Sequence, residues 1–143
     1  ILFGGGMSIA AAFGSSGLNE SIGDLLGLLE GLEYLFILLL LVIIVLSITE
    51  VLSNTAVANL VMPLTVGLGV AIGIDPLPLM AAAALAAGSC YMLPVATPPN
   101  TAVFSAGYLN VSDMAKAGVW MNVISVVVIT LAVYFWMPVI FSF

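Results

Sequence analysis

Histidine and arginine are absent from the 143-residue chain, and Lys116 is its only basic side chain. With no histidine and one cysteine, Cys90, the sequence holds no ligand set for zinc or iron and no partner for an internal disulfide. A single cation cannot neutralise a run of phosphates, so nucleic-acid binding is excluded. The chain also lacks a Cys–His pair or an aspartate pair in an apolar segment, and it reads as a protein that is not an enzyme.

Charge of either sign is scarce. Charged residues make up 6% of the chain and apolar ones 64%, whereas soluble domains carry about a quarter charged residues. The net charge of −6 reflects missing bases more than an acidic tail, because the seven acids are scattered. Apolar runs recur at 34–46, 77–87 and 119–140, and the class that follows is an all-α, multi-pass membrane protein of the cytoplasmic (inner) membrane. The opening Ile1-Leu2-Phe3 has no initiator methionine or basic leader, and it reads as part of a longer protein.

Polar and turn-forming residues divide the chain into four blocks. Residues 1–29 form a Gly/Ser-rich transmembrane helix, with a break expected near Gly14 to Gly17. The run Gly4-Gly5-Gly6 serves packing there, since no lysine or βαβ pattern follows it. Residues 33–73 hold two apolar arms around the cluster Ser47, Thr49, Glu50, Ser53, Asn54 and Thr55. Each arm is near or below the length needed to cross a bilayer, so the block is expected to be a re-entrant helical hairpin that returns to its own side. Asn59, Gly67 and Gly69 on the returning arm are read as interhelical packing positions.

Residues 75–109 begin with Pro76 and Pro78 near a helix start, and the sequence Pro94-Val95-Ala96-Thr97-Pro98-Pro99-Asn100 predicts a break at 94–100. Residues 113–143 read as a spanning helix with Trp120 near one end and Tyr134 and Trp136 near the other. Lys116, placed in the connection before that helix, assigns this end to the cytoplasm by the positive-inside rule and leaves the C-terminus non-cytoplasmic.

Two interruptions at membrane depth are the expected signature of a secondary transporter site. One is the tip, Thr49-Glu50-Val51-Leu52-Ser53-Asn54-Thr55-Ala56; the other is Leu93-Pro94-Val95-Ala96-Thr97-Pro98-Pro99-Asn100-Thr101. The pair resembles the divalent anion to sodium symporter family, whose repeats each carry a Ser-Asn-Thr tip followed by a broken helix. The resemblance covers the whole chain but only about the last third of a family member, one half of an inverted repeat.

That resemblance implies sodium-coupled symport of di- or tricarboxylates of the succinate, malate, fumarate and citrate class by alternating access. It assigns Thr49, Leu52, Asn54 and Ala96 to a sodium ion, a hard cation that needs oxygen ligands. It assigns Asn54, Thr55, Thr97 and Pro98 to the substrate, with helix N-termini near Thr55 and Asn100 offering amides to its carboxylates. Ser53, Asn100 and Glu50 are further candidates, and Glu50 is left open between a proton relay, a neutral hydrogen-bonding group and a partner for something in the other half of the protein, with a structural role equally open. The implied partners are an upstream repeat of the same protein, a second copy in a homodimer, and the lipid bilayer. A related carrier of sulfate, citrate or arsenite stays open beside this reading, as does a channel or assembly module that does not transport.

Overall fold

A computed structural model describes residues 33–141, and among them the chain is helical, with no strand. The helices are α1 (Tyr34–Thr49), α2 (Asn54–Ile72), α3 (Pro76–Ala87), α4 (Pro98–Ser105) and α5 (Val111–Phe141). The Gly/Ser-rich segment 1–29 lies outside the described residues.

Helix α1 is Leu, Ile and Val almost without interruption, so no polar face opposes an apolar one. It stops where Val51 and Leu52 both donate to the Ile48 carbonyl, at 3.2 and 3.1 Å, and the chain turns. Ser53 then caps α2 by accepting from the Ala56 amide at 3.3 Å, the usual role of a serine at that position. Asn59 donates its amide to the Thr55 carbonyl of its own helix at 2.7 Å, so the interhelical role read from the sequence gives way to an intrahelical bond.

Helix α2 ends on Gly73 in the left-handed region at φ 70°. Ile74 donates to Gly69 at 2.9 Å and Gly73 to Val70 at 3.3 Å, the paired bonds that close a helix ending on glycine. Asp75 follows at once as the cap of α3, accepting from the Leu77 amide at 2.7 Å, with Pro76 at the first helical position where a missing N–H costs nothing. Gly69 lies beneath this turn; a Cβ on it would meet the Pro76 Cα at 2.8 Å.

The sequence places the interruption of the third block at 94–100, but the helix-free stretch runs over 88–97. Gly88 and Ser89 end α3 early, both poor helix residues. Pro98 and Pro99 do not stop a helix; they occupy the first turn of α4, where proline is preorganised. The expected helix start near Asn100 therefore lies at Pro98. Helix α5 begins at Val111, so Lys116 stands within its first turns and not in the connection before it. Asn110 and Asp113 fix that start reciprocally: the Asp113 amide donates to the Asn110 carbonyl at 3.0 Å, and the Asn110 amide donates to Asp113 Oδ2 at 3.4 Å.

The helices pack with one polar end. Tyr34, at the start of α1, stacks on Tyr134, late in α5, at 6.0 Å between centroids, while Glu50, just past the end of α1, bonds Asn122, early in α5. The two helices are thus antiparallel. Thr49 reaches the Ala87 carbonyl at the end of α3, so α1 and α3 run the same way. Between them Leu38, Val42, Val45, Val57 and Leu79 are fully buried, against the small side chains of Ala82, Ala83 and Ala86, which let helices approach closely. Among the described residues only α5 is long and apolar enough to cross a membrane by itself, at 31 residues, and it turns Trp120, Ile124, Val128 and Phe135 outward.

Candidate functional site at the hairpin tip and the helix break

Three of the buried polar side chains, Thr49, Glu50 and Asn122, gather near the end where α1 stops, α2 starts and α3 breaks, while Thr65 and Thr130 are buried further along α2 and α5. Thr49 has no exposed surface and Glu50 is 6% exposed. The Thr49 hydroxyl lies 2.9 Å from Asn54 Oδ1 and 2.9 Å from the Ala87 carbonyl. It has one hydrogen and two acceptors in reach, so one contact at a time is a donated bond. The Cys90 thiol also donates to Asn54 Oδ1, at 3.1 Å. Asn54, the first residue of α2, is thereby tied to both helix ends by its carbonyl oxygen.

One turn earlier the Glu50 carboxylate collects main-chain amides. Oε1 accepts from Tyr91 at 3.0 Å and from Met92 at 3.3 Å, while Oε2 accepts from Met92 at 3.1 Å and from Leu93 at 3.3 Å. The Asn122 side-chain amide adds a bond of 2.6 Å to Oε1. Every partner is a donor, a set that suits a carboxylate, which only accepts. Glu50 thus holds the broken segment along its amide edge.

Asn100, at the start of α4, addresses the other side of that segment. Its side-chain N–H groups donate to the Cys90 carbonyl at 3.2 Å and the Leu93 carbonyl at 3.1 Å. Thr101 adds a hydroxyl bond to Pro94 at 2.6 Å. Residues 90–94 of the non-helical stretch are therefore held from both edges, through the amides of 91–93 and the carbonyls of Cys90, Leu93 and Pro94, the kind of support an irregular segment in an apolar environment requires.

The two helix starts differ in what they leave free. At α4, Pro98 and Pro99 have no N–H, the Asn100 amide faces Thr97 Oγ1 at 3.4 Å, and the Thr101 amide is bonded to the Thr97 carbonyl at 3.0 Å. The amides expected there for an anion are thus missing or committed. At α2, among the described residues, the main-chain amides of Asn54 and Thr55 make no hydrogen bond, and Ser53 takes the amide of Ala56. Likewise no donor among the described residues reaches the carbonyls of Leu52 and Ala96.

Of the residues singled out from sequence, the structure joins Thr49 to Asn54 directly and Glu50 and Asn100 through residues 90–93. Thr55, Ser53, Leu52 and Pro98 are exposed, Thr97 is half-buried and Ala96 is buried. No hydrogen bond among the described residues links Ser53 or Thr55 to Thr97. Sequence reasoning missed Cys90, Gly118 and Asn122. Asn122 is a lone amide in an apolar helix, and that rarity was the available signal. Gly118, one turn before it, carries no such mark.

Helices that end against a broken segment, with buried oxygens and, among the described residues, unpaired amides beside it, are the arrangement expected of a membrane carrier. The chain matches the family model described as the sodium:sulfate symporter transmembrane region over residues 1–142, and it belongs to that family, the divalent anion to sodium symporters. It is 47% identical over 138 residues to a Staphylococcus saprophyticus protein named sodium-dependent dicarboxylate transporter SdcS, a match covering 96% of this chain and 27% of the relative. The protein of the same name from Staphylococcus aureus strain USA300 is 46% identical over 140 residues, covering 98% of this chain and 27% of the relative. The chain thus spans 27% of the length of these curated relatives, somewhat less than the third implied by the resemblance.

Proposed function

We propose that the whole protein to which this chain belongs is a sodium-coupled symporter of dicarboxylates, and that the tip of α1 and α2 with the break after α3 forms one of its binding regions. One observation carries the reading most: Thr49 Oγ1 and Asn54 Oδ1 lie 2.9 Å apart beside the broken segment. Rotation of the Thr49 hydrogen toward the Ala87 carbonyl frees lone pairs of both side-chain oxygens for a cation, with the Leu52 and Ala96 carbonyls as further ligands. Sodium is then a transported partner. The Asn54 and Thr55 amides, at the positive end of α2, serve one substrate carboxylate. Thr97 and Pro98 line the opposite side.

Helix lengths support a re-entrant placement. At 1.5 Å per residue, the 16 residues of α1 and the 12 of α3 give about 24 and 18 Å, short of the roughly 30 Å hydrocarbon core, while the 19 of α2 give about 28 Å, close to it. In this reading α1 and α2 enter and return on one face, and the break after α3 lies at mid-depth in the inner membrane. The start of α5, with Lys116, lies on the cytoplasmic side, so the C-terminus is outside. An upstream inverted repeat supplies the other half of the site, and the protein works as a homodimer.

The relatives' names favour dicarboxylates, and the family's description favours sulfate as the second reading. Uptake of labelled succinate by the whole protein in proteoliposomes separates them. The dicarboxylate reading expects uptake driven by sodium but not choline, with unlabelled malate competing and sulfate failing to compete. Sulfate uptake that succinate does not inhibit would replace the first reading with the second.

A further inference from the structure

Residues 90–93 connect α3 to the rest of the break, and two side chains of opposite hydrogen-bonding character hold them. The Glu50 carboxylate takes the amides of residues 91–93. The Asn100 amide gives its hydrogens to the carbonyls of Cys90 and Leu93. A carboxylate has only acceptors and cannot serve the carbonyl edge, and an amide nitrogen has only donors and cannot serve the amide edge. Neither residue can replace the other.

Glu50 is also the chain neighbour of Thr49, and Cys90 within the held segment donates to Asn54 Oδ1. The spacing of the Thr49 and Asn54 oxygens relative to the break is therefore fixed through residues that do not themselves face the cation. We propose that Glu50 and Asn100 are positioning residues that clamp the 90–93 segment from its two edges, so that sodium affinity depends on the clamp. The inference rests on the reading of the site as a sodium and dicarboxylate region.

In Glu50→Gln one acceptor oxygen becomes an N–H that opposes main-chain N–H groups, while shape is kept. In Asn100→Asp two acceptors confront two carbonyls. The whole transporter, reconstituted in proteoliposomes, is expected to need about tenfold more sodium for half-maximal succinate uptake in each variant, the size of effect typical of groups that orient metal ligands. A role limited to folding would lower yield and melting temperature and leave the sodium half-saturation of the surviving protein alone.

The second readout needs no transport. Cys90 is 3% exposed, and its alkylation by N-ethylmaleimide, followed by mass spectrometry of the peptide containing it, reports opening of the segment. Faster alkylation than in the natural protein, by about tenfold, is expected in both variants if local opening is what the clamp prevents. If the natural protein shows no sodium-driven uptake, the functional reading fails while the alkylation rate still decides the clamp. Should Glu50→Gln not fold, Asn122→Ala removes only the 2.6 Å bond to Oε1 and is scored in the same way. Sodium half-saturation and alkylation both unchanged within about twofold in the folded variants overturns the proposal.

Discussion

Gly118 presses directly on the main chain of Met92: a Cβ placed on it would stand 2.6 Å from the Met92 Cα and 2.6 Å from the Tyr91 carbonyl oxygen. The obstacles are backbone atoms, which cannot swing aside as a side-chain end can. Gly118 and Asn122, one helical turn apart on α5, thus meet the same segment, the first by contact and the second through Glu50. Glycine inside an exposed helix normally weakens it by about 1 kcal/mol relative to alanine. Here the sign reverses. Gly118→Ala is expected to destabilise the purified whole protein by about 1–3 kcal/mol through overpacking, read as a lower melting temperature in detergent. An unchanged or higher melting temperature would show that α5 does not bear on the break.

Thr49 contributes a hydroxyl with two acceptors in reach, so the hydroxyl and not the methyl group carries its proposed role. Thr49→Ser keeps that oxygen, and the sodium half-saturation of uptake should stay within about threefold of the natural protein. Thr49→Val keeps the shape and removes the oxygen. It leaves the Ala87 carbonyl and Asn54 Oδ1 without this donor and should raise the sodium requirement about tenfold or more, given the cost of buried groups left unpaired.

Ser53 separates capping from charge. Ser53→Ala removes the acceptor for the Ala56 amide and is expected to cost about 1 kcal/mol at the start of α2, measurable as faster amide exchange over its first turn. Ser53→Asp keeps a good cap but sets a negative charge beside the free amides of Asn54 and Thr55. Exchange should then match the natural protein while the succinate KM rises. If the aspartate variant transports with an unaltered KM, the substrate carboxylate does not sit at that helix end.

The helices were legible because their causes are local. Unbroken Leu, Ile and Val made α1, the polar cluster at 47–55 marked the turn after it, and Pro76 and Pro78 marked the start of α3. The proximity of Thr49 and Asn54 was legible too, being a matter of one short turn. The limits of the break were misread because Pro98 and Pro99 were taken as interrupters, when a proline pair serves equally well as the first turn of a new helix. The grip of Glu50 on residues 91–93 was not legible at all. Its partners are main-chain amides, which every residue type but proline carries, and its one side-chain partner, Asn122, lies 72 positions away.

Asn54 is where the sodium and substrate readings meet, since its side-chain oxygen faces Thr49 and its main-chain amide makes no hydrogen bond among the described residues. The most direct measurement is sodium-gradient-driven uptake of labelled succinate by the whole protein in proteoliposomes, natural against Asn54→Ala, at equal amounts of folded protein. The account predicts loss of at least about nine-tenths of sodium-driven uptake, with no recovery at high sodium, because the variant loses a cation ligand and the residue that orders the anion-binding helix end. Uptake by Asn54→Ala with unchanged rate and unchanged sodium dependence would contradict it.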